Sequence, residues 1–455
     1  MKIIKRARVL FSDIFYRLKN RNFSGNTGMV IKNGTYQFFT NFVSKLGSLL
    51  FTVIIARLLM PELFGLYSLA FSTILLFATI SDFGISNSLV KFVSRELSKG
   101  NLKKAKSFLS YFWKIKWILI SILIFALAAS AKLISDVIYN KPIFLALIAG
   151  LLYVLFYGIM IFLQAILQSL NKFKNILFGE TIFQVSRLLL ISLAVLLCIK
   201  YSVSNSVTLF FIFLALGVSY LFVSLFLWFF QTQKTDLIRT ANSDIPKKQK
   251  RIVNRFILAL STTFVSGIFF SYIDRIMLGH FVAAEFIGFY TIALSFVSAA
   301  SALTGIGTVL LPIFSGIESS RLERGLRKSV RVLLIFAVIS ILLVLIFANP
   351  LISIIYGNAY LPAANLLRLL SLFFLAFPLS GIYATYFISK GKPKAVAWFS
   401  IISTIVNIIL NYVLITSLLK YGDLAATFGA GIATVVSQFL YMFGLIITRR
   451  RILKK

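Results

Sequence analysis

From Tyr36 almost to the C-terminus, apolar runs of about twenty residues follow one another with only short polar links between them. At 1.5 Å of rise per residue, each run is long enough, as a helix, to cross the ~30 Å hydrocarbon layer of a bilayer. Twelve spans are expected, at approximately 36–59, 65–90, 114–134, 143–170, 177–199, 206–230, 257–280, 287–313, 329–349, 363–388, 396–418 and 426–447. With 59% hydrophobic residues, 47 phenylalanines and a mean hydropathy of +0.93 over 455 residues, a water-soluble domain is excluded. The expected fold class is an all-α polytopic membrane protein.

The net charge of +34 would suit nucleic acid if it formed a solvated patch, but it does not. Lysines and arginines crowd the N-terminal segment and every second loop, whereas the opposite loops hold only Lys132, Lys141, Lys200 and Lys420. The positive-inside rule then puts both termini on the cytoplasmic side of the cytoplasmic membrane. No nucleic-acid partner is expected. Cys198 is the sole cysteine and His280 the sole histidine, so neither an intramolecular disulfide nor a Cys/His metal cluster is available. The chain has no GxxxxGK[ST] phosphate loop, which argues against ATP hydrolysis within it, and no cofactor is expected.

The stretch ARLLMPELFGLYSLAFS, residues 56–72, returns once. A constant offset of 223 lays Glu62 on Glu285, Gly65 on Gly288, Tyr67 on Tyr290, Ala70 on Ala293, Ser72 on Ser295 and Gly84 on Gly307. Upstream the offset is 218, laying Arg57 on Arg275, so about five extra residues enter around Gly279 to Ala283. A further echo pairs Asn171-Lys172-Phe173-Lys174 with Gly391-Lys392-Pro393-Lys394. Two six-helix lobes related by an internal repeat are expected, a transporter architecture whose site lies between the repeats. The divisions read as a cytoplasmic amphipathic segment over 1–35, a first lobe over 36–230, a cytoplasmic linker over 231–256, a second lobe over 257–447 and a basic tail over 448–455. Within 1–20 the apolar residues interleave at helical spacing with Lys2, Lys5, Arg6, Arg17 and Lys19, which predicts a helix lying on the anionic inner leaflet rather than a cleaved signal peptide.

Charges inside spans are costly and mark function. Five basic residues, Lys45, Arg57, Arg187, Arg275 and Arg368, outnumber the acids Asp82, Glu180 and Asp274. Lys45 and Asp82 lie at similar depth, ~14 and ~12 Å from the inner ends of their helices, and are expected to pair. Glu180 and Arg187 are seven residues apart on one helical face, suited to an ion pair or a wider network. Asn407 and Asn411 share a face and read as interhelical glue. Asp82 and Asp274 are the candidates for taking up a proton or a sodium ion.

ARLLMPELFGLYSLA, the following SDFGISNSLVKFVSRE, the second-half IDRIML with EFIGFYTIALS, then IIYGNAY and GAGIAT, together resemble a Wzx-type polysaccharide flippase of the multidrug/oligosaccharidyl-lipid/polysaccharide (MOP) superfamily over roughly residues 30–445. The resemblance implies two lobes facing across a central cavity, alternating access, and a polyprenyl-diphosphate-linked glycan as substrate. Its protein partners would be a glycan polymerase or glycosyltransferases. Twelve expected spans depart from the fourteen of the peptidoglycan-precursor flippases. The five basic residues above are then the substrate-binding candidates; the symmetry of the repeat would put Arg57 and Arg275 across the cavity from one another, and they are expected to contact the diphosphate because guanidinium groups bind phosphate bidentately. A drug exporter of the same superfamily is the alternative, although a cationic cavity suits an anionic head group better. A membrane glycan polymerase or ligase would display a sizeable outer loop, and every outer loop here is short.

Overall fold

The computed structural model describes residues 25–232, 245–303 and 319–453. The expected amphipathic helix over 1–20, part of the linker, Gly307 and the last residues of the tail lie outside them. Thirteen α-helices run through the described residues. The first lobe holds α1 (Gly25–Ile80), α2 (Ile85–Ser98), α3 (Leu102–Lys132, prolonged by a π-helical turn Leu133–Tyr139), α4 (Phe144–Ser169), α5 (Phe173–Lys200) and α6 (Asn205–Thr232). The second holds α7 (Lys247–Phe281), α8 (Ala284–Leu303), α9 (Ser319–Ile355), α10 (Ala363–Leu370), α11 (Phe373–Ser389), α12 (Pro393–Leu418) and α13 (Asp423–Leu453). Among the described residues nine helical runs are long and apolar enough to cross a membrane, or ten if the two parts of α7, which bend at residues 262–265, count as one. The first of these runs, Ile31–Ser98, covers two of the expected spans. It is broken at Met60, whose φ of 61° and ψ of 169° stop the helix before Pro61 and let the chain turn back.

Local sequence explains the other breaks. Phe83 and Gly84, at φ of 41° and 82°, interrupt the helix between α1 and α2. Asn101 caps α3 by accepting from the Lys104 amide at 3.2 Å. Asn171 and Gly391, equated by the sequence echo, both adopt left-handed backbone, at φ of 57° and 68°, directly after α4 and α11. Large apolar side chains such as Phe125, Leu189, Ile335, Ile346 and Ile354 point outward, as a lipid-facing surface requires.

The lobes meet on both sides of a central space. On one side the second half of α1 crosses α8 so closely that a Cβ on Gly65 would fall 1.7 Å from the Ala284 carbonyl oxygen, and one on Gly288 2.7 Å from that of Pro61. The sequence equates these two glycines, and they lie against each other. Nearby, the Tyr360 hydroxyl donates to the Ala56 carbonyl at 2.7 Å and the Lys141 ammonium to that of Gly279 at 2.7 Å. On the opposite side the Lys91 ammonium sits 3.7 Å above the Phe256 ring, and the Tyr111 hydroxyl donates to Asn254 at 2.8 Å.

Candidate functional site: a cavity between the lobes

The space enclosed is a cavity of about 440 Å³ walled mostly by α1, α4 and α5, with Tyr220 from α6 and Tyr272, Arg275, Thr291 and Ser295 from the second lobe. Three polar residues of α5 share its face. The Gln184 amide donates to Glu180 at 2.7 Å, and an Arg187 Nη donates to the Gln184 carbonyl oxygen at 2.5 Å. Glu180 and Arg187 thus belong to one network, joined through Gln184. Gly47 makes room for it, since a Cβ there would come within 2.6 Å of Gln184. The Arg187 guanidinium lies 4.1 Å from the centre of the Phe51 ring and 5.0 Å from that of Phe183, and its Nε has no partner among the described residues.

Arg275 reaches the same cavity from α7. One Nη donates to the Ser271 carbonyl at 2.7 Å, the guanidinium lies 5.0 Å from the Tyr272 ring centre, and Nε again has no partner. Thr291 presents a hydroxyl that is likewise unpartnered. An aromatic wall backs these groups: Tyr157 stacks on Tyr153 at 5.4 Å, Tyr220 meets both, and Phe183 lies 4.2 Å from Tyr220. Fixed rings, two guanidiniums and a single carboxylate together make a net cationic chamber that can hold a phosphate while packing against an apolar or sugar face.

The remaining expected site residues lie elsewhere. Lys45 is exposed on α1 and does not line the cavity. Arg57 donates from Nε to the Ile355 carbonyl at 2.8 Å and from an Nη to that of Ile354, capping the C-terminal end of α9. It therefore does not face Arg275. Arg57 lies three residues before the Met60 break, whereas α7 continues six residues past Arg275 to Phe281, so Arg275 sits about one turn deeper. Arg368 bonds to the Leu345 carbonyl at 3.2 Å, Asn365 at 2.5 Å and Asn349 at 3.2 Å, stapling α10 to α9.

The expected Lys45–Asp82 pair is replaced by another. Asp82 is bound at 3.2 Å by Lys116, which is 1% exposed and also donates to the Ser81 carbonyl at 3.0 Å. The sequence reading does not single out Lys116, which stands only two residues inside a third span placed to begin at 114 and so counts with the neighbouring loop lysines. In fact α3 begins at Leu102, so Lys116 is fourteen residues inside it, level with the break that holds Asp82. Its flanking apolar residues, in WKIKWILIS, were the available signal.

Asp274 is buried and accepts from the Tyr290 hydroxyl at 2.6 Å, the Thr434 hydroxyl at 2.6 Å and the Asn411 amide at 2.7 Å. Asn407 and Asn411 add to interhelical glue a second feature: near this carboxylate both side-chain carbonyl oxygens are buried with no donor among the described residues. Among the described residues no group of three or more His, Cys, Asp and Glu could hold a metal ion.

These helices and their inter-lobe cavity define a membrane transporter, and known proteins agree. The family model for polysaccharide biosynthesis protein matches residues 30–318, and the MatE model matches 256–413. Capsular polysaccharide biosynthesis protein CapF of Staphylococcus aureus is 24% identical over 441 residues, covering 93% of this chain and all of that protein. Among solved structures, an inward-facing multidrug resistance MATE transporter of the MOP superfamily superposes with a TM-score of 0.70 at 12% identity, covering 90% of this chain and 96% of that one. The lipid II flippase MurJ in an inward closed conformation gives 0.69 at 16% identity, covering 91% and 87%. The chain belongs to the polysaccharide biosynthesis protein family, the Wzx-type flippases of the MOP superfamily. The two solved structures that it resembles are a transporter and a flippase by name.

Proposed function

We propose that this chain carries a polyprenyl-diphosphate-linked glycan across the cytoplasmic membrane, for surface polysaccharide or glycan biosynthesis, by alternating access of two lobes to one central cavity. The supporting observation is that Arg187 and Arg275, one from each lobe, line the same cavity, each with an Nε that has no partner among the described residues. A buried polar group left unpaired costs about 1–3 kcal/mol, more when charged, so both positions favour an anionic ligand. A diphosphate offers enough oxygens for both forks and would draw the lobes together. Arg187→Ala and Arg275→Ala, at normal expression, should each abolish complementation of a flippase-deficient strain, and the lysine variants, which lose the planar fork, should restore little. Full complementation by both alanine variants would refute this role.

Asp274 is the candidate for the coupling ion. Its carboxylate and the free oxygens of Asn407 and Asn411 form an oxygen donor set suited to a proton or sodium ion. Drug export, the alternative favoured by the MatE match, sits poorly with two arginines against one glutamate in the cavity. A drug-resistance assay on the overexpressed protein distinguishes the two. Within the proposal both termini are cytoplasmic, and glycosyltransferases or a glycan polymerase act before and after the transport step.

A further inference from the structure

The cavity is not uniform along its length. Glu180 lies seven residues before Arg187 on α5, about 10 Å closer to the basic loop at Asn171–Lys174. Gln164 sits five residues from the end of α4 that enters the same loop, and Ser44 and Ser48 lie well before the Met60 break on α1. All four line the cavity. The side with the basic loops is therefore carboxylate, amide and hydroxyl, whereas the other holds the two guanidiniums.

These inner groups are also free. Along α1, Thr35, Thr40, Thr52, Ser68 and Ser72 each donate to the carbonyl four residues earlier, at 2.7 to 2.9 Å, the usual resting place of a hydroxyl in a helix. Among the described residues Ser44 and Ser48 make no such bond, the Gln164 amide has no protein partner, and Glu180 uses only one carboxylate oxygen. A carboxylate accepts and never donates, so this end repels phosphate and welcomes hydroxyl donors. The aromatic wall that backs the arginines reaches this end at Phe183, which lines the cavity three residues from Glu180 on α5 and lies tilted against Tyr220.

We infer that the inner end of the cavity is a glycan subsite, in which Glu180, Gln164, Ser44 and Ser48 hydrogen-bond the hydroxyls of the sugars next to the diphosphate while those sugars lie against the aromatic wall. This rests on the diphosphate reading of Arg187 and Arg275 and gives the bound substrate a direction: diphosphate at the arginines, sugars toward the basic loops. A cavity of about 440 Å³ admits only the proximal sugars, so the distal glycan is not read.

The test is binding to the full chain in detergent, by native mass spectrometry, of two probes: bare polyprenyl diphosphate and the same lipid bearing a disaccharide. Gln164→Ala and Ser44→Ala should leave the bare lipid bound within twofold and weaken the glycosylated one by about tenfold, as expected for lost hydrogen bonds to an enclosed group. Retained binding of the bare lipid shows that the variants are folded, and Gln164→Ala does not touch the Arg187 network. If Gln164→Ala and Ser44→Ala weaken the two probes equally, or weaken neither, there is no glycan subsite. The parent reading fails separately, if Arg187→Ala and Arg275→Ala leave the bare lipid bound as before.

Discussion

Gly65→Ala should open the outer side of the protein. The new methyl carbon would stand 1.7 Å from the Ala284 carbonyl oxygen, and ordinary contact begins at about 3.5 Å, so α8 must withdraw by roughly 1.8 Å. The obstacle is backbone, which cannot rotate aside as a side chain can. Because the clash crosses between lobes, separation of the lobes relieves it and the packing inside each is untouched. Overpacking of this kind costs about 1–3 kcal/mol. Charged to the closed arrangement alone, that shifts the closed-to-open ratio by about 5- to 150-fold. The readout is an impermeant thiol reagent added from outside to Thr291→Cys in a Cys198→Ala background, since Thr291 lines the cavity behind this contact. Gly65→Ala should accelerate labelling in that range. Gly288→Ala, whose closest approach is 2.7 Å, should do so less, and Gly381→Ala, which meets nothing within 4 Å, not at all. Equal labelling of the Gly65 and Gly381 variants would show that the glycine contact does not hold the outer side shut.

Removing one partner of the buried Lys116–Asp82 pair should cost about 3–5 kcal/mol, so Lys116→Met or Asp82→Asn alone should lower the thermal midpoint sharply and the double variant should recover part of it; strictly additive losses would count against the pair. Asp274→Asn should keep the fold, since Tyr290 and Thr434 can still donate to its oxygen, yet remove the sodium or pH dependence of flipping in proteoliposomes. At the inner end of α9, burial opposes ionisation of Glu323, but bonds from Arg449 and Tyr386 outweigh it and hold the carboxyl below its usual range. A depressed carboxyl stabilises the fold above its unfolded pKa of about 4.3 and loses that contribution as pH falls through the folded value. Melting curves of wild type and Glu323→Gln should therefore differ at pH 7 and converge in strong acid. Single cysteines replacing Tyr201 and Gly422 in the Cys198→Ala background should react with an impermeant reagent from outside; reaction only after permeabilisation would invert the topology.

Much of the architecture was legible because a bilayer translates composition into geometry. Apolar length fixes where a helix can cross, and Pro61 and the glycine and asparagine positions fix where it must stop. The offset of 223 also brought together Gly65 and Gly288, two positions that the structure places in contact. Arg187, Glu180 and Asp274 were identifiable as costly charges in apolar surroundings. Which charges met was not. Sequence yields depth along a helix axis, at 1.5 Å per residue, and relative angle around it, but not which neighbour stands at that depth. Asp82 could have met Lys45 or Lys116, and helix packing chose the latter. Arg57 and Arg275 occupy equivalent positions in the two halves, yet about one turn of extra helix puts one against the end of α9 and the other into the cavity. The free Ser44, Ser48 and Gln164 emerge only when the lobes close around a shared space, because a hydroxyl or amide on a helix is ordinary until its neighbours leave it without a partner.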